Sequence, residues 1–415
     1  MKRVKLTAAI LMALTSQAAN ASGFGLIEQS ASGQGLSYAG AAVNTEDASV
    51  MWFNPAGLSD IEGNQVVGAL HIILPDAPFS NNGSYIDGVG PLYGADDDGA
   101  QNAVVPNFYW KGQYQDYDIG LGVNVPFGST VEYDQDWVGR YHAVYTSTKT
   151  LNINPAISRQ INDQLSVGFG VNAQYINVNL TQKIDFGLGS QQEDGYADLE
   201  ASGWGFGVNL GMLYQFENKS KLGLSYRSQI RHNAKGEADF TDTPYADQDI
   251  KASVALPAMA SVSYELPINQ KTTVLADATW TGWSSFDELR IEFEDKDDSV
   301  QPEEWGDVMR YSIGMVHKYN SQWTVRTGIA YDETPISDKY LRTPRISDSD
   351  RTWLSIGAGY QLNDAMRIDV GYSHLWGGNP QIEATDADPD GVDHVLVGEF
   401  DININIISAQ LVWNY

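Results

Sequence analysis

The amino-acid sequence predicts an all-β fold, a 14-stranded antiparallel transmembrane β-barrel that is plugged by a small N-terminal hatch. Three observations predict it. Apolar residues alternate with small or polar ones in long runs, the links between these runs are alternately short and long, and a segment rich in Gly, Ala and Ser precedes the first run. Because no stretch of about 18 apolar residues follows the N-terminal leader, helical membrane spans are excluded.

The alternation gives each run one apolar and one polar face. In residues 204–216 every second position is apolar, and the positions between are mainly Gly, Asn and Gln. In residues 309–319 the intervening positions include Arg310, Ser312 and Gly314. Successive side chains of a strand point to opposite faces. A barrel with its apolar face toward lipid and its polar face toward a lumen therefore accommodates both sets. A soluble secreted β-sandwich is the alternative.

The number and spacing of the runs predict the topology. The predicted strands are residues 65–74, 104–115, 117–126, 146–159, 164–181, 204–216, 220–231, 250–265, 271–281, 308–319, 322–332, 352–362, 366–376 and 401–415. Links after even-numbered strands are short and links after odd-numbered strands are long, as expected for periplasmic turns and extracellular loops of an outer-membrane barrel. An even number of strands returns both chain ends to the periplasm and lets the sheet close without a free edge.

Three segments divide the chain. Residues 1–21 combine a basic start, an apolar stretch and an Ala-Asn-Ala site, which predicts a cleaved secretory signal peptide. Residues 22–63 lack the period-two pattern and are expected to form the hatch, with a periplasmic extension as the alternative. Residues 64–415 form the predicted barrel. This organisation predicts the outer membrane of a Gram-negative bacterium.

Composition excludes several other functions. The chain has 53 acidic and 25 basic residues, no cysteine and six histidines. Such an acidic chain is unsuited to nucleic acid, and we expect no enzyme activity, no cofactor and no metal centre. The loop at Asp386–Gly391 begins like an EF-hand calcium loop, but Val397 stands where that motif requires a bidentate Glu. Acidic outer loops are otherwise expected to face solvent, or to bridge to lipopolysaccharide phosphates through divalent cations.

Several motifs resemble the FadL family of outer-membrane transporters for long-chain fatty acids and other hydrophobic molecules. They are Ser22-Gly23-Phe24, Ser30-Ala31-Ser32-Gly33, Ala39-Gly40, Asn54-Pro55-Ala56, Pro126-Phe127-Gly128, Gly139-Arg140-Tyr141-His142, Asn154-Pro155, Trp280-Thr281-Gly282-Trp283-Ser284, Arg326-Thr327-Gly328-Ile329-Ala330-Tyr331-Asp332-Glu333-Thr334-Pro335 and Asp350-Arg351-Thr352-Trp353-Leu354-Ser355. The resemblance covers essentially the whole chain after the leader, and it independently implies fourteen strands and an N-terminal hatch.

The resemblance also implies a transport route. A hydrophobic ligand would land in a groove between the third and fourth long loops, enter a tighter pocket beside the hatch N-terminus, and leave through a side opening where a strand kinks. The candidate residues are Phe186, Leu188, Phe240 and Tyr245 for the groove, Phe24, Leu26, Asn54, Pro55 and Ala56 for the hatch and pocket, and Asn124, Pro126 and Gly128 for the kink. Local loop packing and an ordinary strand end are the alternatives for the groove and the kink.

A carboxylate head group would need a cation inside the barrel. Five bases fall on the predicted lumen-facing register: Arg227, Arg231, Arg310, Lys318 and Arg326. Arg227, Arg310 and Arg326 are the candidate carboxylate-binding bases. Alternatively these bases pair with acids of the wall and the hatch, namely Asp277, Asp369, Glu28, Glu46 and Asp47, and hold the plug in place.

The expected partners are a hydrophobic ligand and the lipids and lipopolysaccharide of the outer membrane, with the protein a monomer. Long-chain fatty acid uptake is the leading prediction for function. Uptake of monoaromatic hydrocarbons by the same fold is the alternative, and a general porin is a more distant one, which the plug-like segment disfavours.

Overall fold

The structure is a computed structural model that describes residues 22–187, 191, 194–387 and 391–415. The predicted signal peptide, residues 1–21, lies outside this range. Within the described ranges, no helix is both long and apolar enough to cross a bilayer. The helical elements are short: α1 (Ala31–Gln34), α2 (Val50–Phe53), and the 3₁₀ turns η1 (Pro55–Asp60) and η2 (Trp283–Ser285).

Strands make up most of the described chain. Their bounds are β1 Gln65–Asp76, β2 Phe79–Asn81, β3 Tyr85–Ile86, β4 Gly90–Pro91, β5 Ala103–Tyr114, β6 Tyr117–Asn124, β7 Gly128–Glu132, β8 Tyr145–Gln160, β9 Leu165–Asp185, β10 Asp194–Gln215, β11 Lys221–Arg227, β12 Ile230–Thr241, β13 Gln248–Leu256, β14 Met259–Pro267, β15 Thr272–Thr281, β16 Glu288–Phe293, β17 Ser299–Pro302, β18 Val308–Lys318, β19 Trp323–Asp332, β20 Arg351–Asn363, β21 Met366–Gly378, β22 Gln381–Ala387, β23 Asp393–Phe400 and β24 Ile402–Asn414.

The predicted fourteen-stranded closed barrel is confirmed. Every wall strand is antiparallel to its neighbours, and the first strand closes the ring by pairing with both β5 and β24. Three wall strands are interrupted: β6 and β7 form one, β11 and β12 another, and β13 and β14 a third. Counting each interrupted pair once gives the fourteen strands that the sequence pattern predicts.

The two faces of the wall follow the predicted alternation. On β18 the side chains of Tyr311, Ile313 and Met315 are exposed to the surroundings, whereas Arg310 and Ser312 are buried. Exposed apolar residues recur in the same way on other wall strands, which gives the apolar outer band of a membrane barrel. The polar and small residues between them face the lumen.

The long loops contain strands that the sequence analysis missed. Strands β2, β3, β4, β22 and β23 form a separate five-stranded sheet from the first and last long loops. Strands β16 and β17 form a hairpin that extends the edge of β13. These strands are only two to eight residues long, too short for a period-two pattern to stand out from acidic, turn-rich sequence.

The N-terminal segment, residues 22–63, packs against inward-facing positions of the wall. A Cβ added to Gly328 would lie 1.9 Å from the carbonyl oxygen of Leu36, and one added to Gly211 would lie 1.9 Å from Oδ1 of Asn54. At these positions the lumen wall needs glycine because another backbone or side chain approaches that closely. Nearly every side chain between residues 24 and 58 is buried.

A candidate ligand route from the outer loops to the N-terminal segment

The start of the N-terminal segment lies in an aromatic cluster. The Phe24 ring contacts four others, with ring centroids 5.0–6.0 Å apart: Phe127, Trp283, Phe286 and Trp305. Phe24 and Leu26 are 4% and 2% exposed. Three of these four ring pairs meet edge to face, a geometry that aromatic pairs favour, and the contacts hold the first residues of the segment against the wall.

Backbone hydrogen bonds attach this start to the interrupted third wall strand. The Leu26 N–H donates to the Pro126 carbonyl at 2.8 Å, and the Gly128 N–H donates to the Phe24 carbonyl at 2.9 Å. The ladder between β5 and β6 ends at the pair Phe108↔Val123. The N-terminal segment therefore takes the place of the neighbouring strand where β6 gives way to β7.

The predicted kink residues coincide with this interruption. Asn124 ends β6, Gly128 begins β7, and Pro126 lies between them. Beyond it, Val131 forms an isolated bridge with Ala100 rather than a ladder with β5. Among the described residues, the β5 edge at 103–107 has no ladder partner on the β7 side. The wall thus has a lateral gap, bordered inside by the N-terminal segment.

The Asn54-Pro55-Ala56 tripeptide joins two parts of the N-terminal segment to the wall. Asn54 is fully buried. Its Nδ2 donates to the carbonyls of Ala42 at 2.8 Å and Met212 at 3.0 Å, and its Oδ1 accepts from the Ala56 N–H at 3.0 Å. Pro55 then occupies the first position of η1, where its missing N–H costs no hydrogen bond.

An apolar cleft opens beside Phe24. Its open volume is about 70 Å³, and its lining is largely aliphatic, including Ile176, Val178, Ala234 and Val254. That volume is smaller than the range of about 300–1,000 Å³ found for small-molecule sites, so the lining side chains must move apart to admit an acyl chain. Once opened, the cleft offers such a chain an apolar surface between the barrel wall and the N-terminal segment.

An outer groove continues from the cleft toward the loops. Its open volume is about 180 Å³, and it shares Leu180, Leu199, Leu289 and Ile291 with the cleft. The shared lining places the two spaces next to each other, and together they mark a candidate route from the outer loops to Phe24.

The predicted groove aromatics meet at the outer end of this route. Phe186 and Phe240 lie 5.9 and 5.5 Å from Tyr245, ring centroid to centroid; Leu188 lies outside the described residues. The Nζ of Lys296 lies 4.0–4.9 Å from the ring centroids of Phe240, Tyr245 and Phe293. Partial burial lowers the pKa of Lys296 from its ordinary value.

Two ionisable groups line both spaces. The Arg345 guanidinium is held by neutral acceptors: Nη1 donates to Thr146 Oγ1 at 2.9 Å, and Nη2 to Gln182 Oε1 at 2.6 Å. In the part of the chain that the structure describes, no carboxylate oxygen lies within 4 Å of it. Burial lowers the pKa of Arg345 to about 10 and raises the pKa of Glu303 to about 8. At neutral pH the junction of the cleft and the groove therefore holds the Arg345 cation beside the Glu303 carboxyl group, which is mostly neutral.

The three predicted carboxylate-binding bases instead contact the N-terminal segment. Arg227 Nη2 donates to the Trp52 carbonyl at 2.7 Å, and Arg310 Nη2 donates to the Ser37 carbonyl at 2.9 Å. Arg326 forms ion pairs with Glu46 at 2.5 Å and with Asp369 at 3.0 Å. Arg326 thus pairs with two of the acids named in the alternative prediction, whereas Arg227 and Arg310 contact backbone carbonyls of the segment, and none of the three bases lines the cleft or the groove.

The luminal orientation expected for Arg231 is wrong. Its side chain is exposed, and its neighbours Ile230 and His232 are buried. Two residues, Ser228 and Gln229, interrupt the strand between β11 and β12, and the alternation resumes one residue out of phase. Lys318 keeps the inward register but lies exposed at the barrel mouth, where it lines a separate polar recess.

Sequence reasoning missed Arg345, Lys296 and Glu303. All three lie in loops, where no period-two register reports which way a side chain points. Composition gave no signal either, because Lys339 and Arg342 accompany Arg345 in its loop, Arg290 accompanies Lys296, and Glu303 is one of many loop acids.

This arrangement defines a class of protein, a closed outer-membrane barrel with its N-terminal segment in the lumen and an apolar route inside. A family model described as "Outer membrane protein transport protein (OMPP1/FadL/TodX)" matches residues 12–415. The chain belongs to this family of outer-membrane channels for hydrophobic molecules.

Individual relatives agree with this assignment. Outer membrane protein P1 of Haemophilus influenzae is 30% identical over 417 residues, with 89% of each chain covered. The long-chain fatty acid transport protein of Escherichia coli K12 is 28% identical, covering 91% of this chain and 93% of that protein. The crystal structure of a Pseudomonas aeruginosa FadL homologue, 23% identical, superposes with a TM-score of 0.88 over 94% of this chain and 99% of its own.

Replacing Asn54 by Ala should loosen the N-terminal segment without unfolding the barrel. Two buried carbonyls and one N–H would lose their partner, and each orphaned group costs about 1–3 kcal/mol. We expect faster amide hydrogen exchange in residues 42–60, with the barrel strands and the heat-modifiable gel mobility unchanged. Asn44→Ala is a control at a less buried asparagine. Unchanged exchange in residues 42–60 of Asn54→Ala would contradict this role.

Proposed function

We propose that this protein takes up long-chain fatty acids through the outer membrane. The ligand enters the outer groove, binds with its tail in the apolar cleft and its carboxylate at Arg345, and leaves sideways once the N-terminal segment, acting as a hatch, moves. The observation that carries the proposal is the partly buried Arg345 guanidinium, whose hydrogen-bond acceptors within the described residues are neutral, at the junction of the two spaces.

The two ends of a fatty acid have different requirements. Each CH₂ group that leaves water for the cleft contributes about 0.8 kcal/mol, and the aliphatic lining suits a flexible chain. Removing a cation from water is costly unless an anion pairs with it, so a carboxylate would complete the surroundings of the partly buried Arg345. A monoaromatic hydrocarbon, the alternative substrate, carries no charge to pair with this cation and could offer it only the weaker contact of a ring face.

Lys296 fits an earlier step on the same route. Its ammonium group lies among three aromatic rings at the outer end of the groove, where it offers a first contact for an anionic head group. The ligand would then pass from Lys296 to Arg345 while its tail follows the apolar lining toward Phe24.

Replacing Arg345 by Ala should weaken oleate binding about ten- to a hundredfold, the equivalent of about 1.5–3 kcal/mol for a charged hydrogen bond. Binding of oleyl alcohol, which lacks the carboxylate, should change little, and Arg345→Lys should restore part of the oleate affinity. The measurement is equilibrium binding to the detergent-purified barrel.

The matched control is Arg290→Ala, which removes an exposed guanidinium paired with Glu288 in the outer hairpin. Equal losses for oleate and oleyl alcohol would show only a damaged cleft. Unchanged oleate affinity, together with saturable toluene binding, would contradict the fatty-acid proposal and favour the aromatic alternative.

Oleate affinity should fall as the pH rises through about 8. Glu303 has a raised pKa of about 8, so it is mostly neutral at pH 7 and acquires a negative charge above pH 8, beside the bound carboxylate. Besides Glu303, Asp386 is the other carboxyl group that acts on Arg345. Glu303→Gln should remove the pH dependence of oleate affinity between pH 7 and 9. If the affinity of that variant falls as steeply, a group other than Glu303 causes the dependence.

A disulfide between the N-terminal segment and the interrupted strand should block uptake. Gly25 and Phe127 are bridged in antiparallel register, and the chain contains no native cysteine. The double variant Gly25→Cys with Phe127→Cys should take up little labelled oleate when oxidised and recover when reduced. The single variants control for the loss of the ring, and full uptake by the oxidised form would show that this end of the segment does not move.

A further inference from the structure

A basic patch lies on the outward face of the barrel wall, on the hairpin formed by β12 and β13. It consists of Arg231, Lys235 and Lys251, all of which are exposed. The opposite face of the same hairpin, including Ala234 and Ile250, lines the apolar cleft. The patch is therefore separated from the proposed ligand route by the thickness of one sheet.

The patch brings like charges together without acidic partners. Lys235 and Lys251 are directly opposite each other in the ladder, an arrangement that destabilises an antiparallel pair unless something offsets the repulsion. Within the described ranges, none of the three bases has a carboxylate oxygen within 4 Å. In a chain with 53 acidic and 25 basic residues, such a grouping points to an anion.

The ladder places the patch at the outer edge of the lipid-facing band. On β10 the exposed apolar residues end at Trp204, whose ring contacts that of Tyr175 with centroids 5.4 Å apart, as in an interfacial girdle. The next outward residue of β10 is Ser202, and Ser202 is the ladder partner of Lys235. Lys235 and Lys251 thus occupy the first positions beyond the aromatic girdle, where lipid head groups begin.

Acidic residues bound the patch on the side away from the membrane. Glu200 is opposite Glu237, and Glu237 is opposite Asp249. An anion is repelled from that row and is held at the level of the lysines. Asn233 and Ser253, also paired across the hairpin, add neutral hydrogen-bonding groups between Lys235 and Arg231.

We propose that this patch binds the phosphorylated disaccharide of lipid A, the membrane anchor of lipopolysaccharide in the outer leaflet. One phosphate would lie between Lys235 and Lys251, which offsets their repulsion through charge-assisted hydrogen bonds. Arg231 lies four residues away, about 13 Å along the strand on the membrane side of Lys235, where it would contact the acyl-chain carbonyls. Asn233 and Ser253 would contact the sugar hydroxyls.

The test measures lipid A binding to the full-length purified barrel by native mass spectrometry. The probes are bisphosphorylated lipid A, the monophosphoryl form and the fully dephosphorylated form. The test variant is Lys235→Gln with Lys251→Gln. The matched control is Lys219→Gln with Lys271→Gln, which removes two exposed lysines on the opposite, short-turn side of the barrel. Heat-modifiable gel mobility verifies that both variants fold.

We expect the test variant to bind bisphosphorylated lipid A at least tenfold more weakly than the parent protein, and the control variant to bind it equally well. Affinity should fall in the order bisphosphorylated, monophosphoryl, dephosphorylated. Equal binding by the test variant, or equal binding of the dephosphorylated lipid, would overturn the proposal. Displacement of lipid A by millimolar inorganic phosphate would also overturn it, since that would indicate a site for the free ion. None of these readouts depends on fatty-acid uptake.

Discussion

The hydrogen bonds between the start of the N-terminal segment and the interrupted third wall strand are the interaction on which the rest of the site depends. In a bilayer the backbone of a barrel has no water to bond with. Where the ladder is interrupted, the N–H and C=O groups that lose their strand partners must therefore find partners inside the barrel. Phe24 and Leu26 supply partners to Gly128 and Pro126. The same contacts place the Phe24 ring at the end of the apolar cleft. These two hydrogen bonds therefore both satisfy the interrupted strand and position a residue that lines the cleft.

The basic residues inside the barrel and its outer loops fall into two groups with different roles. Arg227, Arg310 and Arg326 contact carbonyls or carboxylates of the N-terminal segment, and removing any of them would leave buried groups without partners. Arg345 and Lys296 lie on the ligand route, among neutral acceptors and aromatic rings. A base whose donors are satisfied by the N-terminal segment stabilises the plug, whereas a base that lines the cleft or the groove is available to an anionic ligand.

The sequence predicted the barrel because lipid on one side and a lumen on the other impose a period-two pattern over each long strand. That pattern located the fourteen strands and the inward position of Arg310. It failed at Arg231, where the two residues between β11 and β12 shift the phase, an interruption that leaves no compositional mark. It also could not place Arg345 or the outer five-stranded sheet, because loop side chains are oriented by tertiary contacts with residues far away in the chain.

The central claim is that the apolar cleft beside Phe24 holds a fatty-acid tail and that Arg345 holds its carboxylate. The most direct measurement is a crystal structure of the protein with a fatty acid brominated near its methyl end, located by anomalous scattering. We expect the bromine to lie within the cleft lined by Ala234 and Val254, and the carboxylate to lie within hydrogen-bonding distance of Arg345. Bromine found solely on the lipid-facing surface, or a carboxylate bound at Arg227 or Arg326, would contradict it.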